Sequence, residues 1–150
     1  LRTDPEKISI INRNGGKPGI TSPTNLEFNL SHSGDWALLS VIIDQPIGID
    51  IEKIRPDFDF ESLSQHHLHP EQVKLLLTTP RDRRVNLFFQ FWTRKEAFLK
   101  AKGQGLCSPS TRITNGENFW SIFSLAIIEG YASALVVNGK IKNIQCYKLL

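Results

Sequence analysis

The alternation of apolar and polar positions divides the chain into a strand-rich beginning, a helical middle and a strand-rich end. Ile8 to Ile11 reads as a short strand, closed by the loop Asn14-Gly15-Gly16-Lys17-Pro18-Gly19. A second loop, Thr21 to Asn25, leads into Leu26-Glu27-Phe28-Asn29-Leu30, whose period of two predicts a strand. Ser31 to Asp35 reads as a turn, Trp36 to Ile43 as a buried strand, Asp44-Gln45-Pro46 as a turn and Ile47 to Glu52 as another strand. A connection that short predicts that the last two strands form an antiparallel hairpin.

After Pro56 the period lengthens to that of a helix. Phe58 to Leu68 predicts one short helix, and Pro70 suits the first position of a second that runs to about Thr79. Pro80 opens a long helix through Lys102, with Val85, Phe88, Phe89, Trp92, Phe98 and Leu99 as its apolar content and Gly103-Gln104-Gly105 as its stop. Phe119 to Ile128, Tyr131 to Val137 and Ile144 to Lys148 then read as strands, separated by Glu129-Gly130 and Asn138-Gly139. The fold class these elements predict is α+β, an antiparallel sheet packed against one long helix.

Composition narrows the picture. A chain of 150 residues, 40% hydrophobic and 22% charged, suits a single folded domain with a proper core. The formal charge of +3, with a calculated pI near 9.0, is spread along the chain and not gathered in a basic stripe. That pattern argues against nucleic acid and suits a small anionic ligand or an acidic protein partner. The longest apolar run, Ala37 to Ile43, is far short of the roughly 18 residues of a membrane span. No secretory leader is visible, and the expectation is a cytoplasmic protein with no membrane association. Cys107 and Cys146 lack partners at metal-ligand spacing and read as reduced, packed thiols. The chain contains no methionine and begins at Leu1, so residues upstream are expected to be missing.

Two segments carry the candidate chemistry. Ile47-Gly48-Ile49-Asp50-Ile51-Glu52 sets two carboxylates on one face of a strand, with three isoleucines on the other. Phe91-Trp92-Thr93-Arg94-Lys95-Glu96-Ala97-Phe98-Leu99-Lys100 sets Trp92, Glu96 and Lys100 on one helical stripe. Alone, each has an ordinary reading: an acidic solvated face and an exposed ion pair contributing about 0.2–0.5 kcal/mol. Together they suggest acids that converge on a hard divalent cation and a phosphate, because adjacent carboxylates repel and Mg²⁺ prefers oxygen ligands. Lys95 is expected to point elsewhere and be merely solvated. His32, between Ser31 and Ser33, and Lys17, in a glycine-rich loop, suit anion contacts. His66-His67-x-His69 matches no usual zinc spacing and reads as a surface helix end.

The order of these blocks resembles the 4′-phosphopantetheinyl transferase superfamily, in its surfactin-synthetase-activating (Sfp-like) branch. The blocks are Gly16-Lys17-Pro18, Phe28-Asn29-Leu30-Ser31-His32-Ser33, Ile47 to Glu52 and Trp92 to Lys100, spread over residues 16 to 102. The resemblance implies transfer of the phosphopantetheine arm of coenzyme A to a serine of an acyl or peptidyl carrier protein, with release of 3′,5′-ADP. It implies that Asp50, Glu52 and Glu96 hold Mg²⁺, that Glu96 helps deprotonate the serine and that Lys100 steadies phosphate charge. Ser31 and His32 would contact coenzyme A phosphates, and Lys17 with Pro18 would line its nucleotide end. An acid at Glu52 favours this branch over the small trimeric synthases.

Members of the branch consist of two similar halves with coenzyme A between them. The resemblance therefore implies a linker remnant over residues 1–25 and a catalytic C-terminal half over residues 26–150. The other wall of the cleft would come from a missing N-terminal half or from a homodimer. The alternative is a non-catalytic module of the same fold that binds coenzyme A or a carrier protein.

Overall fold

The computed structural model describes residues 4–12, 16–21, 25–104 and 119–149. Its frame is a 22-residue helix, α3 (Arg81–Lys102), laid across a three-stranded antiparallel sheet. That sheet is formed by β5 (Ile47–Lys53), β6 (Trp120–Ser124) and β7 (Tyr131–Asn138), with β7 in the middle. Register runs from Ile47↔Val137 to Lys53↔Tyr131 on one side and from Trp120↔Asn138 to Ser124↔Ala134 on the other. Period-two alternation sends Ala134 and Val136 to the helix side, where they pack with Ala97, Phe98 and Ala101. Leu135 and Val137 turn to the opposite side and join Ile47 and Ile49. Gly48 lets helix and strand approach closely, since a Cβ there would run into the Ala97 carbonyl and the Ala101 amide.

The helix ends where its sequence says it should. Gly103 adopts a left-handed backbone (φ 66°), and its N–H and that of Gln104 reach the Lys100 and Leu99 carbonyls. The N-terminal half of α3 packs into an aromatic cluster: Phe88 contacts Phe58, Phe60, Phe89 and Trp92 at centroid distances of 5.4–5.8 Å. Two short helices precede it, α1 (Glu61–His67) and α2 (Pro70–Thr78), the latter with Pro70 in its first turn as expected. His69 caps α2 by accepting from the Glu71 amide, while Gln72 reaches back to the His69 amide.

The remaining strands pair in two hairpins. β1 (Ile10–Asn12) meets β2 (Pro18–Ile20), so Pro18 and Gly19 belong to a strand and not to the predicted loop. β3 (Leu26–Ser33) meets β4 (Trp36–Ile43) across all eight residues, with only Gly34 and Asp35 as the turn. The expected hairpin between β4 and β5 does not form. A two-residue turn with Gly34 in the left-handed region (φ 55°) closes β3 on β4 tightly. Asp44 (φ 62°) and Pro46 then redirect the chain, and the Asn138 amide bonds the Pro46 carbonyl as β5 joins β7.

Three further expectations are corrected. β4 is not buried throughout: it alternates, with Leu39, Val41 and Ile43 exposed. Residues 144–148 form no strand. Cys146 is exposed and not packed, while Cys107 lies outside the described residues. Among the described residues no helix is long and apolar enough to cross a membrane.

Candidate functional site

The helix-facing side of β5 carries Gly48, Asp50 and Glu52, and α3 brings Glu96 and Lys100 against it. Asp50 is 3% exposed, because the helix covers the face whose ordinary sequence reading is a solvated one. The Lys100 ammonium donates to Asp50 Oδ1 at 2.6 Å and to Ser31 Oγ at 2.9 Å. Ser31 Oγ in turn donates to the same Asp50 oxygen at 2.9 Å. Glu52 is half-buried and accepts from Ser33 Oγ at 2.9 Å. Among the described residues two carboxylate oxygens, Asp50 Oδ2 and Glu96 Oε1, are buried without a hydrogen-bond partner.

An unpartnered buried carboxylate oxygen is costly, and its proton affinity shows it. Burial and the nearby Asp50 charge raise the Glu96 carboxyl from 4.5 to about 7, against the opposing pull of Lys100 and Lys95. Burial also raises Asp50 above its ordinary value, although the Lys100 ammonium and the Ser31 hydroxyl favour its ionised form. The two acids therefore crowd one low-dielectric spot that a cation would relieve. Among the described residues no group of three His, Cys, Asp or Glu side chains stands ready as a metal cage. The donor chemistry fits Mg²⁺ nonetheless: oxygen atoms only, two of them buried and unsatisfied.

Not every predicted residue joins this cluster. Strand alternation turns Ser31 inward to Asp50 and Lys100 but leaves His32 exposed on the opposite face of the β3–β4 hairpin, across from Ala37. Lys17 Nζ donates to the Ile47 carbonyl at 2.7 Å, at the start of β5, and Pro18 sits half-buried in β2. Trp92 stacks on Phe88 and takes the edge of His67, so it belongs to the aromatic cluster. Lys95 is not solvated. It is 6% exposed, donates to the His67 carbonyl at 2.8 Å, and has its proton affinity lowered by burial. His66 bonds the Ser62 carbonyl as part of a surface helix end. A depression of about 240 Å³ between residues 56–61 and Arg81, Arg84 and Val85 holds none of the acids of the cluster.

The sequence reading missed Asn29 and Ser33. Asn29 Oδ1 accepts from the Ile49 amide at 2.8 Å, and Ser33 Oγ from the Lys53 amide at 3.0 Å. The available signal was their period of two with Ser31, matching the period of Asp50 and Glu52.

Fold and site together define a class: an α+β domain whose edge strand and long helix gather buried carboxylates beside a lysine. The family model of the 4′-phosphopantetheinyl transferase superfamily matches residues 46–145, and the chain belongs to that superfamily. The 4′-phosphopantetheinyl transferase HetI of Nostoc sp. strain PCC 7120 is 38% identical over 109 residues, which cover 71% of this chain and 46% of that protein. The 4′-phosphopantetheinyl transferase psf-1 of Bacillus pumilus is 38% identical over 101 residues, covering 67% and 42%. The transferase Sfp of Bacillus subtilis strain 168 is 35% identical over 106 residues, covering 71% and 46%. The chain thus matches a little under half the length of these curated relatives.

Proposed function

We propose that the chain is the catalytic half of a Mg²⁺-dependent 4′-phosphopantetheinyl transferase that acts on an acyl or peptidyl carrier protein. The observation that carries this reading is the pair of buried, unpartnered carboxylate oxygens on Asp50 and Glu96, set beside the Lys100 ammonium. Asp50, Glu52 and Glu96 would hold the cation, which when bound supplies charge neutralisation for the coenzyme A diphosphate.

In the reaction the carrier serine Oγ attacks the phosphorus that bears pantetheine. A new P–O bond forms, the P–O bond to 3′,5′-ADP breaks, and the serine proton passes to the Glu96 carboxylate. Glu96 is placed for that transfer by α3, which sets its carboxylate beside Asp50 and Lys100 on the helix-facing side of β5. Lys100, already bridging Asp50 and Ser31, presents its charge where a phosphate oxygen would meet it. His32 is assigned to a coenzyme A phosphate and Lys17 with Pro18 to its nucleotide end, while Ser31, whose proton goes to Asp50, acts on the phosphates through Lys100. The Lys17 ammonium has three donors, so its bond to the Ile47 carbonyl does not prevent contact with an anion.

The test is to incubate the chain with coenzyme A, Mg²⁺ and apo-carrier protein and read the carrier's mass. A gain of one phosphopantetheine that Asp50→Ala abolishes is the expected result; an equal gain with Asp50→Ala would overturn the assignment. The half-length match favours one other reading, a module that binds coenzyme A or a carrier without turnover by itself. Calorimetric binding of coenzyme A with no mass gain would select it.

A further inference from the structure

Among the described residues β5 is an edge strand: β7 takes one of its sides, and no strand is hydrogen-bonded to the other. An edge of this kind carries a row of backbone groups that must find partners once they are buried. β3 runs alongside this edge but offers it side chains and not backbone. Asn29 Oδ1, Ser31 Oγ and Ser33 Oγ accept from the amides of Ile49, Ile51 and Lys53, at 2.8, 3.4 and 3.0 Å. Each acceptor lies 20 residues before its donor, so both strands advance two residues per step in the same direction. Lys17 extends the row by donating to the Ile47 carbonyl.

Serine differs from asparagine in what it can do next. A hydroxyl that accepts one hydrogen bond still has a proton to give. Ser31 gives it to Asp50 and Ser33 gives it to Glu52, each at 2.9 Å. At the remaining step the neighbouring residue is Gly48, which has no carboxylate to hold, and there the ladder uses Asn29. The match of serine to acid and of asparagine to glycine ties the docking of the hairpin to the aim of both carboxylates.

We propose that Asn29, Ser31 and Ser33 are positioning residues: a side-chain ladder that seats the β3–β4 hairpin on the open edge of β5 and, through the two serines, orients Asp50 and Glu52. This inference rests on the reading of those acids as cation ligands. Ser33 isolates the effect, since it bonds Glu52 and the Lys53 amide, whereas Ser31 also accepts from Lys100.

The experiment measures Mn²⁺ affinity by paramagnetic resonance of the free ion, with thermal midpoints and amide exchange at Lys53 recorded on the same samples. Ser33→Ala is expected to weaken Mn²⁺ binding by about tenfold, the lower end of what loss of an outer-shell partner costs. It should also speed exchange at Lys53, and Ser33→Thr, which keeps the hydroxyl, should restore both. Asp50→Ala serves as the control for the underlying reading. If Asp50→Ala loses Mn²⁺ while Ser33→Ala keeps full affinity, the serine does not position the acid and the inference fails alone. If the unaltered chain binds no Mn²⁺, or Asp50→Ala binds it unchanged, the cation reading falls and the inference falls with it. A lowered midpoint with unchanged affinity would reduce Ser33 to a structural role and also overturn the proposal.

Discussion

Two strand surfaces in this chain obey the same sequence rule and end up on opposite sides of the water boundary. In the β5–β7 region, Ile47, Ile49, Leu135 and Val137 share a face and are buried. In the β3–β4 hairpin, Leu30, Leu39, Val41 and Ile43 share a face and are exposed, while Asn29, Ser31 and Ser40 on the reverse are buried. Alternation therefore reports which residues lie together, but not which face is inside. The decision is made by the neighbour. β5 presents unpaired amides to the hairpin, and only the polar face of β3 can satisfy them.

The largest expected effect tests the tight side of this comparison. Gly48→Ala would push a methyl group into the Ala97 carbonyl and the Ala101 amide, and neither belongs to a flexible side chain. The helix would have to lift from β5, at a cost of about 3 kcal/mol, the upper part of the range for overpacking. Chemical denaturation measures it. A loss below about 1 kcal/mol would mean that α3 does not sit this close to the strand.

Next comes the polar side of the hairpin. Asn29→Ala removes the acceptor for the buried Ile49 amide, and leaving such a donor unsatisfied costs about 1–3 kcal/mol. The same denaturation curves check it, and an unchanged midpoint would show that water or another group serves that amide. Leucine in place of Asn29 should be no better. That outcome would separate lost hydrogen bonding from lost volume.

These two residues also mark the limits of what could be read from sequence. The α+β class, the long helix with its glycine stop, the acid pair on β5 and the Glu96–Lys100 spacing were all legible. Each depends on local periodicity or on a cap. The β4–β5 hairpin was wrong because pairing is a contest between partners. A short connection cannot show that β3 wins β4 by an even shorter one, or that β7 takes β5. The ladder from Asn29 to Ser33 was missed because a serine-rich strand end looks like a turn. Its meaning depends on an edge 20 residues away. Lys95 was read as solvated because helical spacing alone could not show that the end of α1 packs over it.

The acids add a pH-dependent effect. Glu96 binds its proton more tightly in the folded chain, at about 7, than at its ordinary value of 4.5. Its contribution is therefore fully present below pH 4.5 and is lost as pH rises through about 7; Asp50 acts in the same direction. The metal-free chain should melt at a lower temperature at pH 8 than at pH 5, as far as this group decides. Glu96→Gln should flatten that decline. An identical slope in Glu96→Gln would show that Glu96 is not the group responsible.

The smallest expected effect is on the outer face of the hairpin. Leu39 is 58% exposed and Val41 52%, so folding this chain leaves more than half of each residue's surface in water. Burial is what makes an apolar residue stabilising, and a substitution at an exposed site usually changes stability by less than about 0.5 kcal/mol. Leu39→Ser should therefore leave the denaturation midpoint almost where it was. Its partner across the ladder, Leu30, is likewise open, so no packed neighbour is left with a cavity. A loss of about 2 kcal/mol would break the comparison, because it would require this face to be covered under the conditions of the measurement. Repeating the titration at several protein concentrations then decides the cover: a midpoint that climbs with concentration identifies a second copy of the chain. A midpoint that stays fixed locates the cover within the chain itself.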